Sequence, residues 1–306
     1  MRAVGMGTSR MIVLLAGLTL SATGHAQDWA KIEVKSQPVA GSVHMLTGGG
    51  GNIGVLVGSD GVLLVDSQFA ELHDKIAAAV GAIGTGPVRF VLNTNWHYDH
   101  VRGNELFHKS GAVIVAHGNC PARMMREQFH EVLDVKIGPY APAALPEITF
   151  TDSLVLHVNG EDVEALHIAN AHSDADVLYV FRKANVIQTG DLFFSSGYPY
   201  IDIGNGGSVA GMIAAADRIL TMAGADTKLI PGHGPLADRQ RLQEYRAMLV
   251  GVRDRVAALI KQGRSLDQAV AAKPTADLDA AWGGAMSPAQ FVTLVFMDLS
   301  RRRTAH

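Results

Sequence analysis

Two β-sheets packed together with helices on their outer faces, an α/β architecture, is the fold class the sequence predicts. Three observations carry it. Short β-rich runs recur between glycines, helical stretches close each group of them, and the second half of the chain repeats the first in outline.

The first group reads Lys31–Val34, Val43–Thr47, Ile53–Val57 and Val62–Val65, β-branched runs joined by turn residues, which predicts strands linked by hairpins. A helical stretch follows at Glu71–Ile83. Then come strand Val88–Leu92, helix Arg102–Lys109, strand Ala112–Ala116 and helix Pro121–Val132. Past the proline-rich Pro139–Pro146, strands are expected at Ile148–Thr151, Leu154–Val158, Val163–His167, Val177–Phe181 and Val186–Gln188. Helix Val209–Met222, strand Lys228–Ile230 and a long amphipathic helix Ala237–Lys261 complete the main body. The expected organisation is one domain over 27–306, with a core of about 31–237 and C-terminal helices over 237–303.

With 306 residues, 48% hydrophobic and 18% charged, the composition excludes collagen-like, coiled-coil and disordered classes. The first 26 residues stand apart. Arg2 and Arg10 precede an apolar run from Met11 to Ala22, and Gly24-His25-Ala26 puts small residues at −3 and −1 of a cut before Gln27, which reads as a secretory signal peptide. The run is shorter than the roughly 20 apolar residues a membrane span needs. A periplasmic or secreted protein with no stable membrane anchor after cleavage is therefore expected. Cleavage removes two arginines and no acid, taking the net charge from −3 to −5 and arguing against nucleic acid as a partner. Arg301-Arg302-Arg303 is read as a solvated helix terminus. Cys120 is the only cysteine, so the exported chain has no internal disulfide. Oligomeric state is not legible.

The chemistry concentrates after strand Val88–Leu92. Asn95-Trp96-His97-Tyr98-Asp99-His100 brings two imidazoles and a carboxylate together at the C-terminal end of a strand, donors of the kind zinc takes at about 2.0–2.2 Å. Three more candidate ligands fall beside β-runs: His172 before Val177–Phe181, Asp191 after Val186–Gln188, and His233 after Lys228–Ile230. Strand ends are where α/β folds build sites, and the glycines beside Asp191 and His233 permit close backbone approach.

In content and order these motifs resemble the five signatures of the metallo-β-lactamase superfamily of zinc hydrolases, over roughly Lys31 to Ala237. The resemblance implies a four-layer αββα sandwich with one or two zinc ions at an edge between the halves. Asn95, His97 and His172 would face the first ion and Asp99, His100 and His233 the second. Asp191 would bridge them, and Asp66 would stand behind the ligands and orient them. It further implies hydrolysis by a zinc-activated water of pKa near 7, aimed by Asp99, with Asn205 assisting at the substrate carbonyl. The sequence departs from the family's pattern at Asn95, and from its best-known lactamases, though not from the broader hydrolases at Asp191, in two further places. Asn95 replaces the usual first histidine, and an amide is the poorer zinc ligand. Asp191 stands where the best-known lactamases have cysteine. Phe194 stands where they have a lysine that grips the substrate carboxylate.

The small-molecule substrate is accordingly expected to be a cyclic amide of the β-lactam kind or an ester or lactone, the alternative being a thioester or lactone hydrolase without lactamase activity. A non-catalytic metal-binding protein is the rival of a different class. Two motifs are set aside. Gly49, Gly51 and Gly54 fit a dinucleotide fingerprint but lead into a strand, and read better as a mobile hairpin tip, which the resemblance implies is a flap over the substrate. Ser208, in a near nucleophile-elbow, precedes a helix it can cap, which disfavours a serine hydrolase. His130 is read, with five other histidines, as surface or core, and His167 as structural.

Overall fold

The computed structural model describes residues 28–130 and 132–304. The leader read over residues 1–26 lies outside the described residues. In chain order the first half contains β1 (Lys35–Ala40), β2 (Val43–Thr47), β3 (Ile53–Gly58), β4 (Gly61–Val65), α1 (His73–Ile83), β5 (Val88–Leu92), α2 (Tyr98–Val101), α3 (Asn104–Lys109), β6 (Val113–His117), α4 (Asn119–Met124), β7 (Gln128–His130), β8 (Val135–Ile137) and β9 (Ile148–Phe150). The second contains β10 (Ser153–Val158), β11 (Glu161–His167), β12 (Val177–Phe181), β13 (Val186–Phe194), α5 (Val209–Met222), β14 (Lys228–His233), α6 (Arg239–Lys261), α7 (Leu266–Ala271), α8 (Asp279–Trp282) and α9 (Pro288–Thr304).

The strands form two mixed sheets, in the order β1-β2-β3-β4-β5-β6-β9 and β10-β11-β12-β13-β14, with β7-β8 a separate hairpin. Their facing sides bury Val43, Leu63, Leu92 and Val115 from one against Val163, Val177, Phe181 and Ile230 from the other. The outer face of the first packs Val55, Leu64 and Val91 on Ile76 and Val80 of α1 and Phe107 of α3. The outer face of the second meets α5, α6 and α9 through Leu178, Ile187, Met212, Leu249 and Phe291. The alternation of strand residues between these faces produces the αββα layering.

Four elements differ instructively from expectation. Lys31–Val34 forms no strand: the Lys75 ammonium collects the carbonyls of Trp29, Ala30 and Ile32 at 2.7–2.9 Å, and pairing begins at Lys35. β1 contains Pro38, which is tolerated because β1 is the edge strand of its sheet among the described residues and its outer side needs no donor there. The helix expected over Arg102–Lys109 starts at Asn104, while Tyr98–Val101 forms a helical turn of its own, so Asp99 and His100 sit on a helix and not in a loop. The helix expected over Pro121–Val132 stops at Met124, where Gln128 Nε2 donates to the carbonyl of Arg123. The chain then alternates as a strand, Gln128 and His130 inward and Phe129 outward, which buries His130. β13 runs on to Phe194 through two irregularities, so Asp191 lies within a strand.

Candidate metal centre

Three carboxylates behind the ligands explain how the chain aims its imidazoles. Asp66 follows β4 at φ 70, a left-handed conformation costly for aspartate, and accepts hydrogen bonds from the backbone N and hydroxyl of Thr94 at 2.8 and 2.7 Å. Its other contact is His100 Nδ1 at 2.8 Å, which leaves His100 Nε2 facing the centre. Asp176, held by the N–H and hydroxyl of Ser173, does the same for His172 at 3.1 Å. Asp202 lies 3.1 Å from His97 Nε2. Asp66 was legible in the sequence. Asp176, four residues after His172, could have been found from that spacing, whereas Asp202 and its neighbour His130 carry no local signal.

The inner atoms converge on Asp191. His100 Nε2 lies 3.1 Å and His172 Nε2 3.4 Å from its Oδ2, and His233 Nε2 lies 3.3 Å from Oδ1. Asp99 Oδ2 is 3.1 Å from His233 Nε2. Donors on one tetrahedral ion with bonds of about 2.0–2.1 Å stand about 3.3 Å apart, so this spacing suits a zinc-type cation. Among the described residues His100 Nε2, His172 Nε2 and Asp191 Oδ1 are buried without a hydrogen-bond partner, an expense that a coordinated ion would remove. Two donor triads result, His97–His172–Asp191 and Asp99–His100–His233, each with its ligand atoms within 4.8 Å of one another. Glycine makes the room: a Cβ on Gly51 would lie 2.2 Å from His100 Cε1, and one on Gly232 2.3 Å from Asp191 Oδ1.

Electrostatically the cluster is a set of ion pairs, buried at His100, His172 and Asp191 and open to the cavity at Asp99 and His233. Burial would neutralise His233, but Asp191 and Asp99 outweigh it and raise this imidazole to about 9. Against the same burial penalty, Asp191, Asp99 and Asp66 lift His100 well above the usual range. Asp99 resists burial through His100 and His233 and is held down at about 2. Protons on the imidazoles are what a metal must displace.

Two amides are turned to other tasks. Asn95 Nδ2 donates to Asp191 Oδ2 at 3.1 Å and its Oδ1 accepts from the His97 backbone N–H at 2.8 Å, so the carboxamide presents a donor to the centre. Asn205 donates to both oxygens of Asp202 at 3.1 and 2.9 Å and accepts from Arg123, which places its side chain behind Asp202 and off the cavity lining. The glycine-rich turn before β3 is not a flap. Gly51 N–H donates to the carbonyl of Asp99, Gln68 donates to the carbonyl of Gly51, and Asn52 is tied to Pro231, Gly232 and Gly234, so the turn is a fixed floor under the ligands. Ser208 accepts from Gly211 N as the cap of α5. His167 stacks on His117 with centroids 3.7 Å apart and does not line the cavity. Burial pushes the Cys120 thiol up, leaving it inert.

Above the centre opens a cavity of about 420 Å³, floored by His97, Asp99, His172, Asp191 and His233. Phe194, Tyr198, Tyr200, Leu133 and Met286 wall it, Phe194 lying against the His233 ring at 4.8 Å. No lysine or arginine lines it among the described residues.

The profile of the metallo-beta-lactamase superfamily matches residues 46–234. No curated protein matches the sequence. Among solved structures, a metallo-beta-lactamase from Pontibacter korlensis is similar with TM-score 0.57 at 15% identity, covering 71% of this chain and 99% of its own. The stereoselective inverting sec-alkylsulfatase Pisa1 from Pseudomonas sp. is similar with TM-score 0.63 at 15% identity over 86% of this chain, which spans half of that enzyme's length. At such identity the likeness is one of fold.

Proposed function

The chain belongs to the metallo-beta-lactamase superfamily, and from that premise we propose that this metallo-hydrolase cleaves a small, uncharged ester, thioester or lactone, with zinc as its metal. The observation that carries the reading is the wall of the cavity. A penicillin-type substrate brings a carboxylate and an alkyl sulfate brings a sulfate, and each needs a cation to replace its water. This lining offers aromatic and aliphatic side chains and no lysine or arginine. Phe194 occupies the position where the resemblance would put the gripping lysine. A neutral acyl compound with an apolar body fits both its chemistry and its size.

Metal held by Asp99, His100 and His233, with a second ion beside His97, would acidify a water and polarise the scissile carbonyl. The chain supplies the rest. Asp99 faces the cavity as an ionised carboxylate and is placed to orient a water by accepting its hydrogen bond. Asp66 and Asp176 fix the orientations of His100 and His172, so these imidazoles need no reorganisation during turnover. Phe194, Tyr200 and Met286 exclude bulk water and seat the acyl body. We further propose that the protein is exported after cleavage near Ala26; among the described residues no helix is long and apolar enough to cross a membrane.

The test is a turnover screen of purified zinc-loaded protein against neutral aryl esters, thioesters and lactones in parallel with β-lactams and alkyl sulfates. A preference of at least about a hundredfold in kcat/KM for the neutral group is expected, roughly the 2.7 kcal/mol that an unpaired buried charge costs. A β-lactam or alkyl sulfate as best substrate overturns the reading.

A further inference from the structure

The residues on the far side of His97 from His172 form a third donor cluster that the metal sites discussed above do not use. His97 sits between two imidazoles, its ring 4.5 Å from that of His172 and 4.9 Å from that of His130, each crossing at 84°. His97, His130 and Asp202 place one ligand atom each within 4.8 Å of the others. His97 Nε2 and Asp202 Oδ2 are 3.1 Å apart, and His130 Nδ1 is 3.9 Å from that same oxygen.

We propose that His97, His130 and Asp202 form a zinc-binding position of their own, which takes the place of the first-ion position impoverished by Asn95. Asn95 is the reason an alternative matters. With its oxygen on the His97 backbone and its N–H on Asp191, the triad His97–His172–Asp191 keeps two imidazoles and a carboxylate that the second ion also claims. The cluster around His130 offers two imidazoles and a carboxylate of its own, the donor set of many zinc sites that keep one position open.

His130 supplies the independent observation. It is 2% exposed, and the nitrogen it turns toward Asp202, Nδ1 at 3.9 Å, lies 2.9 Å from the Tyr200 hydroxyl, a contact that an ion would have to displace. Asp202 is prepared as a ligand would be, its two oxygens steadied by Asn205, which is itself held by Arg123. Because His97 and His130 both line the cavity, the open position of such an ion faces substrate. An ion at either place uses His97, so the two positions compete for one imidazole.

This inference goes beyond the proposed hydrolysis, since it concerns where zinc sits and can be read without turnover. Crystals of the protein equilibrated with zinc chloride, mapped by anomalous scattering at the zinc edge, are expected to show one peak among Asp99, His100 and His233 and another within about 2.3 Å of donor atoms of His97, His130 and Asp202. In solution, titration against a chromophoric chelator should give two equivalents of unequal affinity. His130→Gln should weaken the looser one at least tenfold and leave the tighter one within twofold. A second peak bound by His172 and Asp191 with His130 unattached, no second peak at all, or a titration that His130→Gln leaves unchanged overturns it. The map is made on the wild-type protein, so a variant that fails to fold does not remove the test.

Discussion

Asn95 donates its side-chain N–H to Asp191 Oδ2 at 3.1 Å, so the residue in the first ligand slot grips the shared carboxylate where the family's histidine would grip a metal. A carboxylate so held has one oxygen committed to an amide and presents Oδ1, buried and unpartnered, toward His233. The centre is thereby biased toward the Asp99–His100–His233 side.

Asn95→His should reverse that bias. An imidazole frees Asp191 Oδ2 and restores a third nitrogen beside His97 and His172. The weaker zinc equivalent is expected to tighten at least tenfold, bringing the two affinities together in a calorimetric titration. Two equally tight sites in the wild type, unchanged by the substitution, would contradict it.

Asp99→Ala removes a group that both ligates and aims the water. A fall in kcat of at least about a hundredfold is expected, the scale for losing a positioned acid or base. Asp99→Asn, which keeps the shape and removes the charge, should fall comparably, and chelation of the wild type should abolish turnover. Wild-type rates in either variant would show that Asp99 is not the group that handles the water.

What could be read beforehand follows from where the information lies along the chain. Val43–Thr47, Val88–Leu92, Val177–Phe181 and Val209–Met222 were legible to the residue because each is a regular apolar pattern with a turn or cap at its ends. The ligands were legible because each lies at or beside the end of such an element. His130 and Asp202 were not: 72 residues separate them, they meet only through tertiary packing, and His130 is turned inward by a strand whose apolar spacing resembles a helix. The Gly48–Asn52 turn misled for a related reason, since its fixation comes from Gln68, Asp99 and Gly232 and not from its own residues.

Acidity should act on the metal-free protein through His233. Its folded-state value of about 9 lies above the ordinary 6.5, so the stability it contributes is fully present below about pH 6.5 and is lost as pH rises through about 9. Urea midpoints of chelated protein are expected to fall between pH 6.5 and 9. Zinc affinity should move the other way, rising about tenfold per pH unit for each proton displaced. A midpoint flat across this interval would remove His233 as a charged group in the ion-free centre.

Phe194→Lys tests the wall. The lysine would introduce the cation that the lining lacks and remove the ring stacked on His233. Activity toward a carboxylate-bearing ester should gain on the order of tenfold relative to its neutral methyl ester, about 1.4 kcal/mol of discrimination. No change in that ratio would mean that substrate does not pass Phe194.

Gly51→Ala separates metal binding from folding. The added methyl would lie 2.2 Å from His100 Cε1 and 2.6 Å from Nε2, and the turn cannot retreat because Gly51 N–H is bonded to Asp99 and Asn52 is bonded across to the β14 loop. The imidazole must therefore give way, and Asp66, which pins its other nitrogen at 2.8 Å, resists. Overpacking of this kind costs about 1–3 kcal/mol and shifts the melting temperature of the chelated protein by only a few degrees. The larger effect should appear on adding zinc. With His100 displaced, the tight equivalent is expected to weaken at least tenfold, so that at saturating zinc the variant gains about 1.4 kcal/mol less stabilisation than the wild type. Melting curves of both proteins with and without zinc measure that difference, and an undiminished zinc-induced shift in Gly51→Ala would show that the ion does not depend on His100.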